Sequence, residues 1–199
     1  VSVSDTHSRH NAGASTDDAI AAFEAIAGPM IDQGAVMEMT LSTAFGCPYE
    51  QRIDPNRVVE VARRVVDAGA SSIGLADTIG VAIPSEVEAL VAAVANALDV
   101  SIGAHLHDTR GLALANGLAA LGAGANRIDA AVGGLGGCPF APGASGNVAI
   151  EDVAHALAEM GVDTGCSVTG LIDAAVLACE AVGRPVASHV GVAGPRFAS

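Results

Sequence analysis

Two periodicities take turns along this chain. Short apolar runs that suit buried strands alternate with stretches in which apolar residues recur every three or four positions, as in helices packed on one face. Residues 1–4 read as a strand and 5–13 as a polar loop. Ser15 with Asp17 and Asp18 supplies an N-cap and early acids, and Ala19, Ile20, Phe23, Ile26 and Ala27 then form a helical face that Gly34 closes. Residues 35–41 make a second strand. Asp54-Pro55 opens a helix with proline in its first turn, with Val58, Val59, Val61, Ala62, Val65 and Val66 as its apolar side. Residues 72–76 are a third strand, and Pro84 opens a helix that turns Val87, Leu90, Val91 and Val94 inward. The fourth strand, 100–104, runs into Ala104-His105-Leu106-His107-Asp108-Thr109. A helix over 112–121, a fifth strand over 127–131, a glycine-rich loop as far as Gly146, and helices over 150–160 and 171–182 complete the pattern.

Strand and helix thus alternate with a repeat of about thirty residues, which predicts a parallel sheet with helical crossovers. A doubly wound sheet concentrates its site at one switch point, whereas a barrel gathers groups from every strand end. Here each strand runs into a polar loop: Asp5-Thr6-His7, Ser42-Thr43, Asp77-Thr78, His105 to Asp108, and Gly133 onward. No glycine-rich phosphate fingerprint follows the first strand. The expected fold is therefore the α/β TIM (β/α)8 barrel, present only as about its last five βα units, with residues 1–199 forming one partial barrel domain.

Composition narrows the partners. Hydrophobic residues make up 51% of the chain and aromatic ones 3%, so the core must be aliphatic. The net charge of −13, with no Lys and nine scattered Arg, argues against nucleic acid. An anionic substrate needs only one or two local donors and stays open. No apolar run reaches membrane-spanning length. The four cysteines, Cys47, Cys138, Cys166 and Cys179, lack CxxC spacing and read as free thiols of a reducing compartment.

The candidate chemistry centres on the histidine pair. A strand has a period of two, so His105 and His107 share a face at its end, half of a metal site. The plain alternative is two polar residues at a strand end. Asp108 reads as the cap of the following helix. Cys138 lies between Gly137 and Pro139 in a loop too rich in glycine for a packed element, so a chemical role competes with that of a small apolar residue. Asn147 is a helix N-cap or a hard-metal ligand through its side-chain oxygen. Asp77 ends the third strand as an acid/base or outer ligand, or as the head of an Asx turn. Cys47 reads as an exposed loop residue, His7 and His10 as loop residues, His155 and His189 as surface residues, and Cys166 and Cys179 as structural. Two imidazoles and an amide oxygen suit Mg²⁺ or Mn²⁺ with open water positions better than a closed zinc site.

The segments "AFGCPYE", "ADTIGV", "HLHDTRGLALAN" and "GGLGGCPFAPGASGNVAIEDV" together resemble the 3-hydroxy-3-methylglutaryl-CoA lyase family of metal-dependent (β/α)8 barrels. The resemblance implies a divalent metal on His105, His107 and Asn147, and a reactive thiol at Cys138 on a loop that covers the substrate. It implies Asp77 near the reacting centre, His105 as a catalytic as well as a ligating residue, and Glu151 and Asp152 in support. It implies retro-aldol cleavage of a branched 3-hydroxyacyl-CoA, in leucine degradation and ketone-body formation, by a homodimer that is cytoplasmic or, with a leader, organellar. A sibling aldolase or Claisen-condensing synthase is the alternative, and a non-catalytic assembly module a second. The family's first strand carries an Arg-Asp pair, and no such segment occurs here; Val1 corresponds to about the fourth strand. Thr40 stands where lyases often carry Tyr. The expectation is that the sequence is a piece of a longer enzyme, because five strands alone leave two open edges.

Overall fold

The computed structural model describes residues 1–137 and 146–197. Among these residues the sheet has four parallel strands: β1 (Glu38–Leu41), β2 (Ser72–Asp77), β3 (Ser101–Leu106) and β4 (Arg127–Asp129). Their spatial order follows the chain, β1-β2-β3-β4, with no reversal. Register runs Glu38–Ser72–Ser101 at the β1, β2 and β3 starts and Gly103–Arg127 and His105–Asp129 between β3 and β4. Sequential order without a switch point is how a (β/α)8 barrel is built, not a doubly wound sheet.

The helices are α1 (Asp5–Ala12), α2 (Thr16–Ile31), α3 (Pro55–Asp67), α4 (Pro84–Ala97), α5 (Ala113–Gly122), α6 (Ile150–Glu159), α7 (Val168–Ala181) and α8 (His189–Ala193), and α2 to α6 send buried side chains into the core on one face of the sheet. Alternation along the strands decides which side chains meet them. Leu41, Ile73, Leu75, Ile102, Ala104 and Leu106 are buried toward the helices with Val58, Val61, Val65, Val87 and Val91. The intervening residues, Glu38, Thr40, Gly74, Gly103, His105, Arg127 and Asp129, lie on the opposite, inner face. That assignment agrees with the Arg127–Glu38 pair, which spans the sheet from β4 to β1.

Several local expectations change. Within residues 5–13, Asp5–Ala12 form α1 rather than a loop. Ser4 caps it by accepting the His7 N–H at 3.0 Å, and Gly13 ends it at φ 69°. The segment DTHSRHNA has no apolar stripe, so its caps and the burial of His7 and Ser8 hold it instead. His7 is accordingly a buried helical residue. Residues 1–4 contribute a single parallel bridge, Ser2 to Ser42, just beyond β1, rather than a full strand. The second strand begins at Glu38 and the fifth ends at Asp129; Ala131 instead bridges Ala149. Ile26 is exposed, α7 starts before residue 171, and α8 was not foreseen.

Candidate functional site

His105 is the penultimate residue of β3 and His107 follows its end. Their rings meet edge to face with centroids 5.2 Å apart, so the two imidazoles do share a face. His107 is buried, and its Nδ1 lies 3.0 Å from the Asp77 carbonyl oxygen. A carbonyl can only accept, so Nδ1 carries the proton and Nε2 is left with a lone pair. Burial, opposed by that hydrogen bond, holds the His107 imidazole below its ordinary pKa. This is how a protein prepares a neutral histidine to ligate through Nε2.

Asn147 forms an antiparallel bridge with His107. Its Nδ2 donates to the Leu135 carbonyl at 2.9 Å. Its Oδ1 is buried and has no hydrogen-bond partner among the described residues. A buried acceptor without a donor costs free energy, and a hard cation is one group that would satisfy it. The capping alternative is excluded, because the residue at the N-cap of α6 is Ala149. The backbone around Asn147 is fixed on both sides: Asp108 N–H donates to the Gly146 carbonyl at 2.9 Å, and Val148 N–H to the Leu106 carbonyl at 3.0 Å. A cleft of about 250 Å³ borders Asn147, with Asp108 and Asp152 on its walls.

Asp77 is almost fully buried at the end of β2. Its Oδ1 accepts the Val81 N–H and its Oδ2 the Ala82 N–H, each at 2.9 Å. Desolvation raises its carboxyl pKa, against the pull of these two amides. The side chain thus folds the β2–α4 loop, while the main-chain carbonyl orients His107. Asp108 is not the N-cap of α5, a position held by Leu112, but its Oδ1 accepts the N–H of Ala113, the first residue of that helix, at 2.9 Å.

The acidic pair after Asn147 also holds backbone. Glu151, with no exposed surface, accepts the Gly133 N–H at 3.0 and 3.1 Å. Asp152 accepts the N–H groups of His189 and Val190, at 3.0 and 2.7 Å, and so anchors the start of α8. Cys47 is buried rather than exposed; its Sγ donates to Ser4 Oγ at 3.0 Å and receives the Tyr49 and Glu50 N–H groups at 3.4 Å. Cys179 is buried, as expected of a structural residue, whereas Cys166 is exposed. Cys138 lies outside the described residues.

One group escaped the sequence reading. Asp129 on β4 stands beside His105, with 3.7 Å between Oδ2 and Nδ1, and receives Arg127 Nε on its other oxygen at 3.0 Å. The His105 ring and then, after the opposing cost of burial, the Arg127 guanidinium hold the Asp129 carboxyl below its ordinary pKa. Its signal was present in the sequence: Arg127 and Asp129 flank Ile128, so two charges alternate on one face of an otherwise apolar strand. Among the described residues, no three His, Cys, Asp or Glu side chains cluster to hold a metal.

Parallel strands in sequential order, helices on one face and polar side chains at the strand ends define part of a (β/α)8 barrel with its candidate site at the C-terminal mouth. Residues 1–177 match the family model described as HMGL-like, and the chain belongs to that family. It is 40% identical over 198 residues to an (R)-citramalyl-CoA lyase of Chloroflexus aurantiacus, a match covering 99% of this chain and 62% of that protein. It is 38% identical over 190 residues to a hydroxymethylglutaryl-CoA lyase of Bacillus subtilis, covering 95% of this chain and 64% of the relative. The crystal structure of the Bacillus subtilis HMG-CoA lyase superposes with a TM-score of 0.92 at 37% identity, over 96% of this chain and 65% of that one. An HMG-CoA lyase from Acinetobacter baumannii, in complex with coenzyme A and 3-methylmalate, also gives 0.92 at 36% identity, over 100% of this chain and 65% of that one. The chain therefore spans less than two thirds of the length of these relatives.

Proposed function

We propose that this chain carries the metal-binding mouth of a carbon–carbon lyase that cleaves 3-hydroxy-3-methylglutaryl-CoA, or a similar 3-hydroxyacyl-CoA, to acetyl-CoA and a keto acid such as acetoacetate. The observation that carries the reading is the buried, unpartnered Oδ1 of Asn147 next to a His107 whose Nε2 is free to ligate. Two imidazoles and an amide oxygen fit Mg²⁺ or Mn²⁺, with His105, His107 and Asn147 as its ligands. When bound, such an ion supplies positive charge for the carboxyl and hydroxyl oxygens of the substrate.

The chain's own residues position the groups that act. In the reaction the 3-hydroxyl gives its proton to a general base, the carbonyl forms at C3 and the bond between C2 and C3 breaks. Its electron pair passes to the thioester enolate, and a proton returns to C2 to give acetyl-CoA. Asp77 holds the ring of His107 through its carbonyl and shapes the loop over 77–82. Glu151 fixes Gly133 at the root of the segment that contains Cys138, the residue read as the reactive thiol. Residues 1–199 form one partial barrel domain in this reading, within a cytoplasmic homodimer. Among the described residues no helix is long and apolar enough to cross a membrane.

The similarity to an (R)-citramalyl-CoA lyase favours a second substrate, citramalyl-CoA, on which cleavage of the corresponding bond also releases acetyl-CoA. The test is direct. The intact protein is incubated with Mg²⁺ or Mn²⁺ and each thioester, and acetyl-CoA is quantified together with its keto-acid partner. Release of acetyl-CoA is expected, with loss of at least about a hundredfold in rate for His105→Ala or Cys138→Ala. Absence of acetyl-CoA from a preparation that binds the metal overturns the lyase reading.

A further inference from the structure

Four charged or titratable side chains run in a line across the inner face of the sheet. Glu38 on β1 takes Arg127 in a two-pronged pair, Nη1 to Oε2 at 2.7 Å and Nη2 to Oε1 at 2.6 Å. Arg127 Nε then donates to Asp129 Oδ1 at 3.0 Å. The other carboxylate oxygen of Asp129 faces His105 Nδ1 at 3.7 Å, a charge contact longer than a hydrogen bond. The four residues come from β1, β3 and β4, so the line crosses β2 and β3 sideways.

The sheet is built to let it pass. Arg127 pairs in register with Gly103, and a Cβ on Gly103 would stand 2.7 Å from Arg127 Cζ and 2.8 Å from Nε, closer than atoms pack. Only a residue without a side chain leaves room for the guanidinium to lie flat over β3. All three guanidinium nitrogens have carboxylate partners, so Arg127 is committed to Glu38 and Asp129. Its planar fork also fixes where Asp129 stands, which a lysine could not do. The acceptor that results faces the one ring nitrogen of His105 that a ligand through Nε2 must keep protonated.

We infer that Glu38, Arg127 and Asp129 are positioning residues that set the ring of His105 with Nδ1 toward Asp129 and Nε2 toward the mouth. The inference rests on the metal-site reading above and adds to it the means by which the more exposed of the two imidazoles is oriented. His107 is set by a main-chain carbonyl, and His105 by a side-chain line that begins on a strand two places away.

The test measures binding rather than turnover. Mn²⁺ is titrated into the intact protein and the free ion is followed by its electron paramagnetic resonance signal. His105→Ala and His107→Ala are expected to lose the site. Asp129→Asn is expected to weaken Mn²⁺ about 10- to 100-fold, and Glu38→Gln to weaken it in the same direction by a smaller factor. Nitrogen-15 spectra of the wild-type imidazoles supply a readout that needs no variant to fold: His105 is expected to carry its proton on Nδ1 in the metal-free protein. Mn²⁺ affinity of Asp129→Asn within twofold of wild type, with His105→Ala inactive in binding, overturns the positioning role and leaves the metal reading intact. A proton on Nε2 of His105 overturns it as well. Unchanged affinity in both histidine variants overturns the metal reading and the positioning line together.

Discussion

The imidazole of His7 is 2% exposed and lies with Nδ1 3.0 Å from Ser2 Oγ, near Tyr49 and on the same helix as His10. Burial first, and the charge of His10 second, hold its pKa below the ordinary value of 6.5. The folded state therefore takes up this proton less readily than the unfolded chain does. Stability from the neutral ring is complete above 6.5 and falls as the pH drops through that value toward the lower folded pKa. Thermal midpoints measured between about pH 7.5 and 5.5 are expected to fall, and His7→Phe to flatten part of that fall. A histidine in a short polar segment looked like loop chemistry in the sequence, because no periodicity marks a helix held by its caps. Asn147 was legible as one of two roles, and only the position of the helix start separates them. Asp129 was passed over because a charge on a strand reads first as an exposed edge, while here it faces the inner surface beside His105.

Helix α1 is the element where local chemistry outweighs patterning. Gly13 sits at φ 69° with its amide on the Arg9 carbonyl and open space where a Cβ would go. Gly13→Ala therefore meets no clash and should lose about 1 kcal/mol through backbone strain alone, measured by urea unfolding. The long helices and buried strands were read correctly because their signal is repeated many times. Val58, Val61, Ala62 and Val65 on α3 mark one face four times over, and β2 is buried along its whole length. Ends were less legible: β4 stops at Asp129 because the chain then turns into the bend at Val132–Gly134, where Gly133 adopts φ 62°. Five apolar runs became four strands and a bridge for the same reason, since a strand's length is set by the neighbour it pairs with and not by its own composition.

At the scale of the whole molecule, 22 acidic residues face nine arginines, a net charge of −13. Exposed like charges repel within a screening length, so added salt should favour the compact state. The unfolding midpoint is expected to rise between about 0.05 and 0.5 M NaCl, and a fall would mean that ion pairs such as Arg127–Glu38 outweigh the general repulsion. The sequential parallel architecture was legible from the repeat alone, whereas the cross-sheet line from Glu38 to His105 depends on register, which no single strand records. Register also bears on how such a fold can be rebuilt. Loops at a barrel mouth are commonly treated as interchangeable cassettes, because the scaffold below does not depend on them. The β2–α4 loop is not one: Asp77 folds it through its carboxylate and aligns His107 on the next loop through its carbonyl, and Arg110 reaches back to the Ile79 and Gly80 carbonyls at 3.1 and 2.8 Å. The two loops are keyed to each other, so a graft at this mouth has to exchange residues 77–82 and 107–113 as a single part.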